Sequence, residues 1–225
     1  MRSIMNMKKL LLLACRLSLL VLSVVMLTHI NAARGHAEES PEYLETIRKR
    51  ADMIVARLEL GNETQQLLVR DLVADQYRWL NRIHSELETE IAALKSSHET
   101  SADTQQQTAE LQAKAEMKIA RRHAEFLKSL DEQLTPSQVD AVKDGMTYGV
   151  VQVTFSAYER MLPDLTDAQR DYIMQQLVEA REHAMDLGSS DAKHKWFGKY
   201  KGRINNYLSK AGYDLKTASK RLEKQ

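Results

Sequence analysis

VDAVKDGMTYGVVQVTFSAYERML, residues 139–162, decides whether this chain is all-helical or carries a sheet. Val150, Val151, Val153 and Thr154 have the branched side chains that favour strands. Their spacing favours a helix instead. Val139, Val142, Met146, Val150, Val153, Ala157 and Met161 form one stripe at helical period, and Tyr148, Val151, Phe155, Tyr158 and Leu162 form a second. The pattern predicts a single central helix that is apolar on two faces.

With the strand reading set aside, the flanking sequence is helical as well. Leu68, Leu72, Trp79, Ile83, Leu87, Ile91 and Leu94 recur at threes, fours and one heptad, and Leu111, Ala115, Ile119, Phe126 and Leu130 do the same. These are two long amphipathic helices of coiled-coil character. Ser96 to Thr108, rich in Ser, Thr and Gln, is either a loop or the frayed tip between them. Thr135-Pro136-Ser137-Gln138 and Thr166-Asp167-Ala168-Gln169 are capping boxes, in which each side chain satisfies the other residue's exposed backbone amide. Asn62-Glu63-Thr64-Gln65 behind Gly61 is a looser copy. Gly188 ends a helix carrying Ile173, Leu177, Ala180 and Ala184; Ser190 caps the next, Gly212 closes it, and Asp214 caps a short last one. The expected fold is all-α, a helical bundle with a long antiparallel hairpin. Residues 38–225 form one domain, with the hairpin at about 63–132 and a C-terminal bundle at about 135–225.

The first 37 residues read as a secretion signal. Lys8 and Lys9 precede the apolar run Leu10 to Leu27, and Gly35-His36-Ala37 supplies a small-residue exit. Cleavage is expected after Ala37, with Ala32 or Ala33 as alternatives. An uncleaved run would be a single membrane anchor. Cys15, the only cysteine, lies in that segment, so the exported chain has neither disulfides nor thiolate metal sites, and it is expected to act without a cofactor. Lipid attachment at Cys15 is disfavoured by the dozen apolar residues that follow it. The expected location is periplasmic or extracellular.

Charge is unevenly spread over what remains. Residues 38–192 carry 17 basic and 29 acidic side chains, whereas residues 193–225 carry ten and two. A positive end on an acidic body suits an anionic ligand or pairing between the two regions. Nucleic acid is disfavoured by the export signal and the acidic body.

The positive end opens with KHKWFGKYKGRINNYLSKAGYD, residues 193–214. Trp196, Phe197, Tyr200, Ile204, Tyr207, Leu208 and Ala211 share one broad helix face, most of it core. Gly198 and Gly202 each cost a helix interior about 1 kcal/mol relative to alanine. The expected return is a close approach, either by a neighbouring helix backbone or by a ligand lying flat.

The block Trp196 to Leu208, with Gly212-Tyr213-Asp214-Leu215, resembles the C-terminal hallmark of an exported bacterial family of unknown function that carries a sugar-binding label. Ala157-Tyr158, Met161-Leu162-Pro163, Leu165-Thr166, Gln169 and Glu179 to Asp186 extend the resemblance over essentially the whole mature chain. It implies a non-catalytic carbohydrate-binding protein.

Carbohydrate sites set an aromatic face against the sugar ring, with amides and charged groups for its hydroxyls and carboxylates. Here Trp196 or Tyr200 would be the platform, Asn205 and Asn206 the amides, and Lys199, Lys201 and Arg203 the positive lining. His194 flanks them, and Tyr148, Tyr158, Arg181 and His183 converge on the same cleft. The expected partner is an acidic oligosaccharide or polysaccharide. Two other classes compete. A lyase-like polysaccharide enzyme would use Lys, Arg, Tyr and His as proton-abstracting groups, although the sequence shows no histidine pair at metal spacing, no phosphate loop and no nucleophile elbow. A periplasmic helical chaperone or stress protein would explain the leucine-threonine-x-x-glutamine helix starts.

Overall fold

The computed structural model describes residues 40–97 and 102–222. The stretch read as a secretion signal lies outside the described residues. Among those described there are eight helices and no strand. They are α1 (Pro41–Val55), α2 (Glu63–Ser97), α3 (Ala102–Asp131), α4 (Pro136–Met146), α5 (Val150–Met161), α6 (Asp167–Ala184), α7 (Ser190–Lys210) and α8 (Leu215–Leu222). No helix among the described residues is long and apolar enough to cross a membrane.

Helices α2 and α3 pair as the long antiparallel hairpin. The Ser/Thr/Gln-rich segment is helical up to Ser97 and again from Ala102; residues 98–101 lie outside the described residues. Both capping boxes form: Thr135 accepts from the Gln138 amide while Gln138 accepts from the Thr135 amide, and Thr166 and Gln169 repeat the arrangement. Asn62 Oδ1 accepts from the Gln65 amide at 3.2 Å. The cap of α7 is Ser189, one residue earlier than expected, and its hydroxyl accepts from the Ala192 amide.

The single central helix expected over 139–162 is two helices. Met146 ends α4, and the Tyr148 and Gly149 amides turn back to the carbonyls of Gly145 and Asp144 at 3.3 and 2.7 Å. This is the Schellman closure, which places its third-from-last carbonyl opposite an amide beyond a left-handed residue. Glycine usually fills that left-handed position; here Tyr148 does, with φ 60, followed by Gly149 with φ 66. The break changes which stripe is core. Val139, Val142 and Met146 stay buried on α4, whereas Val153 turns outward with 70 % of its surface exposed, and α5 buries Val151 and Tyr158 from the second stripe.

Two hydrophobic cores result. One gathers α1 to α4 around Ala51, Val69, Val73, Phe126, Leu130, Val142 and Met146, and it takes in Met185 from beyond α6. Thus α4, grouped by sequence with the C-terminal bundle, packs with the hairpin. Gly145 permits this approach, since a Cβ there would sit 2.6 Å from Ile54 Cγ1. The second core gathers α5 to α8 around Tyr158, Ile173, Leu177, Phe197, Tyr200, Ile204 and Leu208.

Candidate functional site

The site is built on α7. Lys193, Phe197, Tyr200, Ile204 and Leu208, spaced by fours and threes, form its buried stripe against the second core. This leaves two flanks, and the predicted residues divide between them.

On the flank toward α5, His194, Gly198, Lys201 and Asn205 form an exposed stripe at the same helical spacing. The Tyr148 and His194 rings stack there, with centroids 6.0 Å apart and planes 19° from parallel. Tyr148 keeps 44 % of its surface exposed. Farther along, the Tyr158 hydroxyl donates to Asn205 Oδ1 at 2.7 Å, and burial raises its pKa to about 12, so it remains a donor. Tyr148, just ahead of α5, precedes Tyr158 by ten residues, and His194 precedes Asn205 by eleven on α7, so the two contacts advance in the same direction along both segments. The two helices therefore run parallel, each antiparallel to α6. Between the contacts, a Cβ on Gly198 or Gly202 would meet nothing within 4 Å. The neighbouring helix backbone expected against these glycines is absent, and the helix face is bare.

On the flank toward α6, the aromatics are already occupied. The Lys199 ammonium lies 4.6 Å from the centroid of the Trp196 ring, and the His183 ring sits 5.3 Å away at 53°. Tyr200 is 3 % exposed; its hydroxyl donates to Glu179 Oε1 at 2.9 Å, and Arg203 stacks over its ring at 4.3 Å. Burial, and then the Glu179 carboxylate, raise the Tyr200 pKa. Neither ring presents the free platform expected of it; the exposed ring pair is Tyr148 with His194. Asn206 is exposed on a different sector from Asn205.

Arg181 does not converge on either flank. Its guanidinium is buried and donates to Asp140 at 2.6 Å, Asp144 at 2.9 Å and Glu182 at 3.1 Å, tying α6 to α4. Its role is structural.

Sequence reasoning missed a second polar cluster below the N-terminal end of α7. His123 Nδ1 lies 2.7 Å from Asp186 Oδ2, and His84 Nε2 lies 2.8 Å from the Asp186 carbonyl. Lys193, 5 % exposed, donates to the Met185 carbonyl at 3.0 Å, and desolvation lowers its pKa to about 8. One signal was present: Lys193 falls on the apolar stripe of α7. The histidines come from 63 and 102 residues away, and no local pattern reports that. Gly188 lets His84 in, since a Cβ there would lie 2.8 Å from its ring.

A cleft of about 740 Å³ opens elsewhere, between Glu90, Ala93 and Leu94 of α2 and Gln107, Glu110, Leu111 and Lys114 of α3. Two carboxylates face one ammonium there, and no aromatic ring lines it. Its chemistry does not suit an anionic, ring-shaped ligand. No group of His, Cys, Asp and Glu among the described residues has the arrangement of a metal site.

Fold and surface together define an all-helical protein whose last long helix presents a bare, basic, aromatic-edged stripe. A family model described as "Protein of unknown function (DUF3826)" matches residues 44–225, and the chain belongs to that family. No curated protein matches it.

Proposed function

We propose that the chain is an exported, non-catalytic binding protein for acidic oligosaccharides, and that the ligand lies along the α7 stripe. The observation that carries this reading is the pair of unopposed glycines at the bare face. Each forgoes about 1 kcal/mol of helix stability with no packing in return, and a ligand lying flat is what a missing Cβ accommodates. The neighbouring groups suit a sugar acid. The Tyr148–His194 pair offers a ring edge, Lys201 a cation, and Asn205, whose oxygen is taken by Tyr158, an amide to donate. Tyr148 holds its place in a left-handed conformation that costs an L-residue roughly 1–2 kcal/mol. Strain of this kind tends to collect at functional positions.

Substitution of Gly198 separates binding from folding. Gly198→Leu places a good helix former on an open face, so the thermal midpoint should hold or rise by the few degrees that about 1 kcal/mol represents. The same side chain covers the stripe. In calorimetry against a panel of uronic-acid and neutral oligosaccharides, heat from the acidic members should vanish in the variant. No heat from any member with the native chain would refute the reading. Export rests on the charged, apolar and small-residue order of residues 1–37; an amino terminus at Glu38 in protein recovered outside the cytoplasm would support it, and retention of residues 1–37 would refute cleavage.

A further inference from the structure

The two cores are joined by one covalent crossing, at Thr147–Gly149, where two successive residues have positive φ. The end of α6 and the turn after it then return to the first core. Met185 and the packing of Gly188 on the His84 ring aside, the contacts there are polar: Arg181 to Asp140 and Asp144, Lys143 to Glu182 at 2.9 Å, His123 to Asp186 and His84 to the Asp186 carbonyl. A seam held by charges, with a single strand of chain across it, has the makeup of an interface between bodies that move relative to one another.

We propose that Thr147–Gly149 is a hinge and that the His123–Asp186 pair is a pH-sensitive latch closing it. Titratable and charged groups face the latch from every element packed against it. His84 approaches from α2, Lys143 from α4 and Lys193 from α7, while Arg181 and Glu182 come from α6; Arg50 of α1 acts on Lys193. The His123 and Asp186 side chains are 22 % and 14 % exposed, so their pairing is weakly screened. Among the described residues Asp186 Oδ1 is buried without a hydrogen-bond partner, and His123 is the group ion-paired with that carboxylate.

The hydrogen bond to Asp186 leads the effects that raise His123 above its ordinary 6.5, desolvation opposing it. For a histidine raised on closure, the charged bond is fully present below 6.5 and is lost as pH climbs through the raised value. The latch therefore closes toward acid and loosens toward neutral or alkaline pH. Lys193, lowered to about 8, begins to titrate toward the alkaline end of that window, and the His123→Asn variant separates its contribution from that of His123.

The test needs no ligand and so stands or falls apart from the binding proposal. Spin labels go at Met117 on α3 and Val153 on α5, each 70 % exposed, in the full chain carrying Cys15→Ser. Pulsed electron resonance at pH 5.5 and 7.5 then reads the distance between the cores. The expected result is a narrow distribution at pH 5.5 that shifts to a broader, longer one at 7.5. His123→Asn keeps a neutral donor to Asp186 and should be broad at both. The native transition should also share its midpoint with the His123 ring titration followed by NMR. Equal distributions at the two pH values, a pH response surviving in His123→Asn, or a midpoint away from the His123 titration would each overturn the latch.

Discussion

Arg181→Ala should lower stability by about 3 kcal/mol, read as a fall of roughly 10 °C in thermal midpoint. Arg181 is buried, and three carboxylates converge on it: Asp140 and Asp144 on α4, and Glu182 beside it. Its removal leaves the Asp140 and Asp144 carboxylates facing one another without the guanidinium, while Glu182 keeps the Lys143 ammonium at 2.9 Å. The loss falls at the low end for a broken buried pair, because Asp140 is 58 % exposed and can recover water. Arg181→Lys keeps the charge but not the fork that reaches two aspartates at once, so it should recover only part of the loss. A midpoint unchanged in Arg181→Ala would mean that α4 and α6 are held by the Lys143–Glu182 pair and apolar contact without help from the guanidinium.

Phe197→Ala should cost about 3–5 kcal/mol, the range for removing a fully buried aromatic ring. Phe197 is 1 % exposed and packs within the core of α5 to α8. Its neighbour Gly198 faces open space, and substitution there should hold or raise the midpoint. Two adjacent residues thus differ sharply in their effect on one melting curve, which follows from the rotation of about 100° between successive helix positions. If Phe197→Ala were mild, the buried stripe of α7 would be wrongly placed, and the exposed stripe with it.

The helices themselves were legible because their signals are local. Thr135 with Gln138 and Thr166 with Gln169 need only four residues to declare a helix start, and each forms as expected. The division of 139–162 was not legible, because the left-handed position is filled by Tyr148, a residue that rarely adopts it. Once the chain breaks there, the phase of the second helix resets, and Val153 leaves the core although it continues the first stripe.

The α7 block was readable as a helix with one buried face, and its two glycines as a departure needing a cause. Which aromatics remain open was not readable. Trp196 and Tyr200 have the composition of a platform, but Lys199, Arg203 and Glu179 occupy them within one or two turns of helix or from the adjoining α6. Tyr148 and His194 stack across 46 positions of sequence, a pairing that depends on α5 and α7 lying parallel. The Arg181 hub and the His84–Asp186–His123 cluster depend likewise on tertiary placement.

The most direct test of the binding claim is amide and ring chemical-shift mapping by NMR as a uronic-acid oligosaccharide is added to the native chain. Shifts confined to Tyr148, His194, Gly198, Lys201, Gly202 and Asn205, saturating with ligand, are the predicted result. Shifts that instead gather at Glu90, Leu94 and Lys114 between α2 and α3, or no shifts at all, would contradict it.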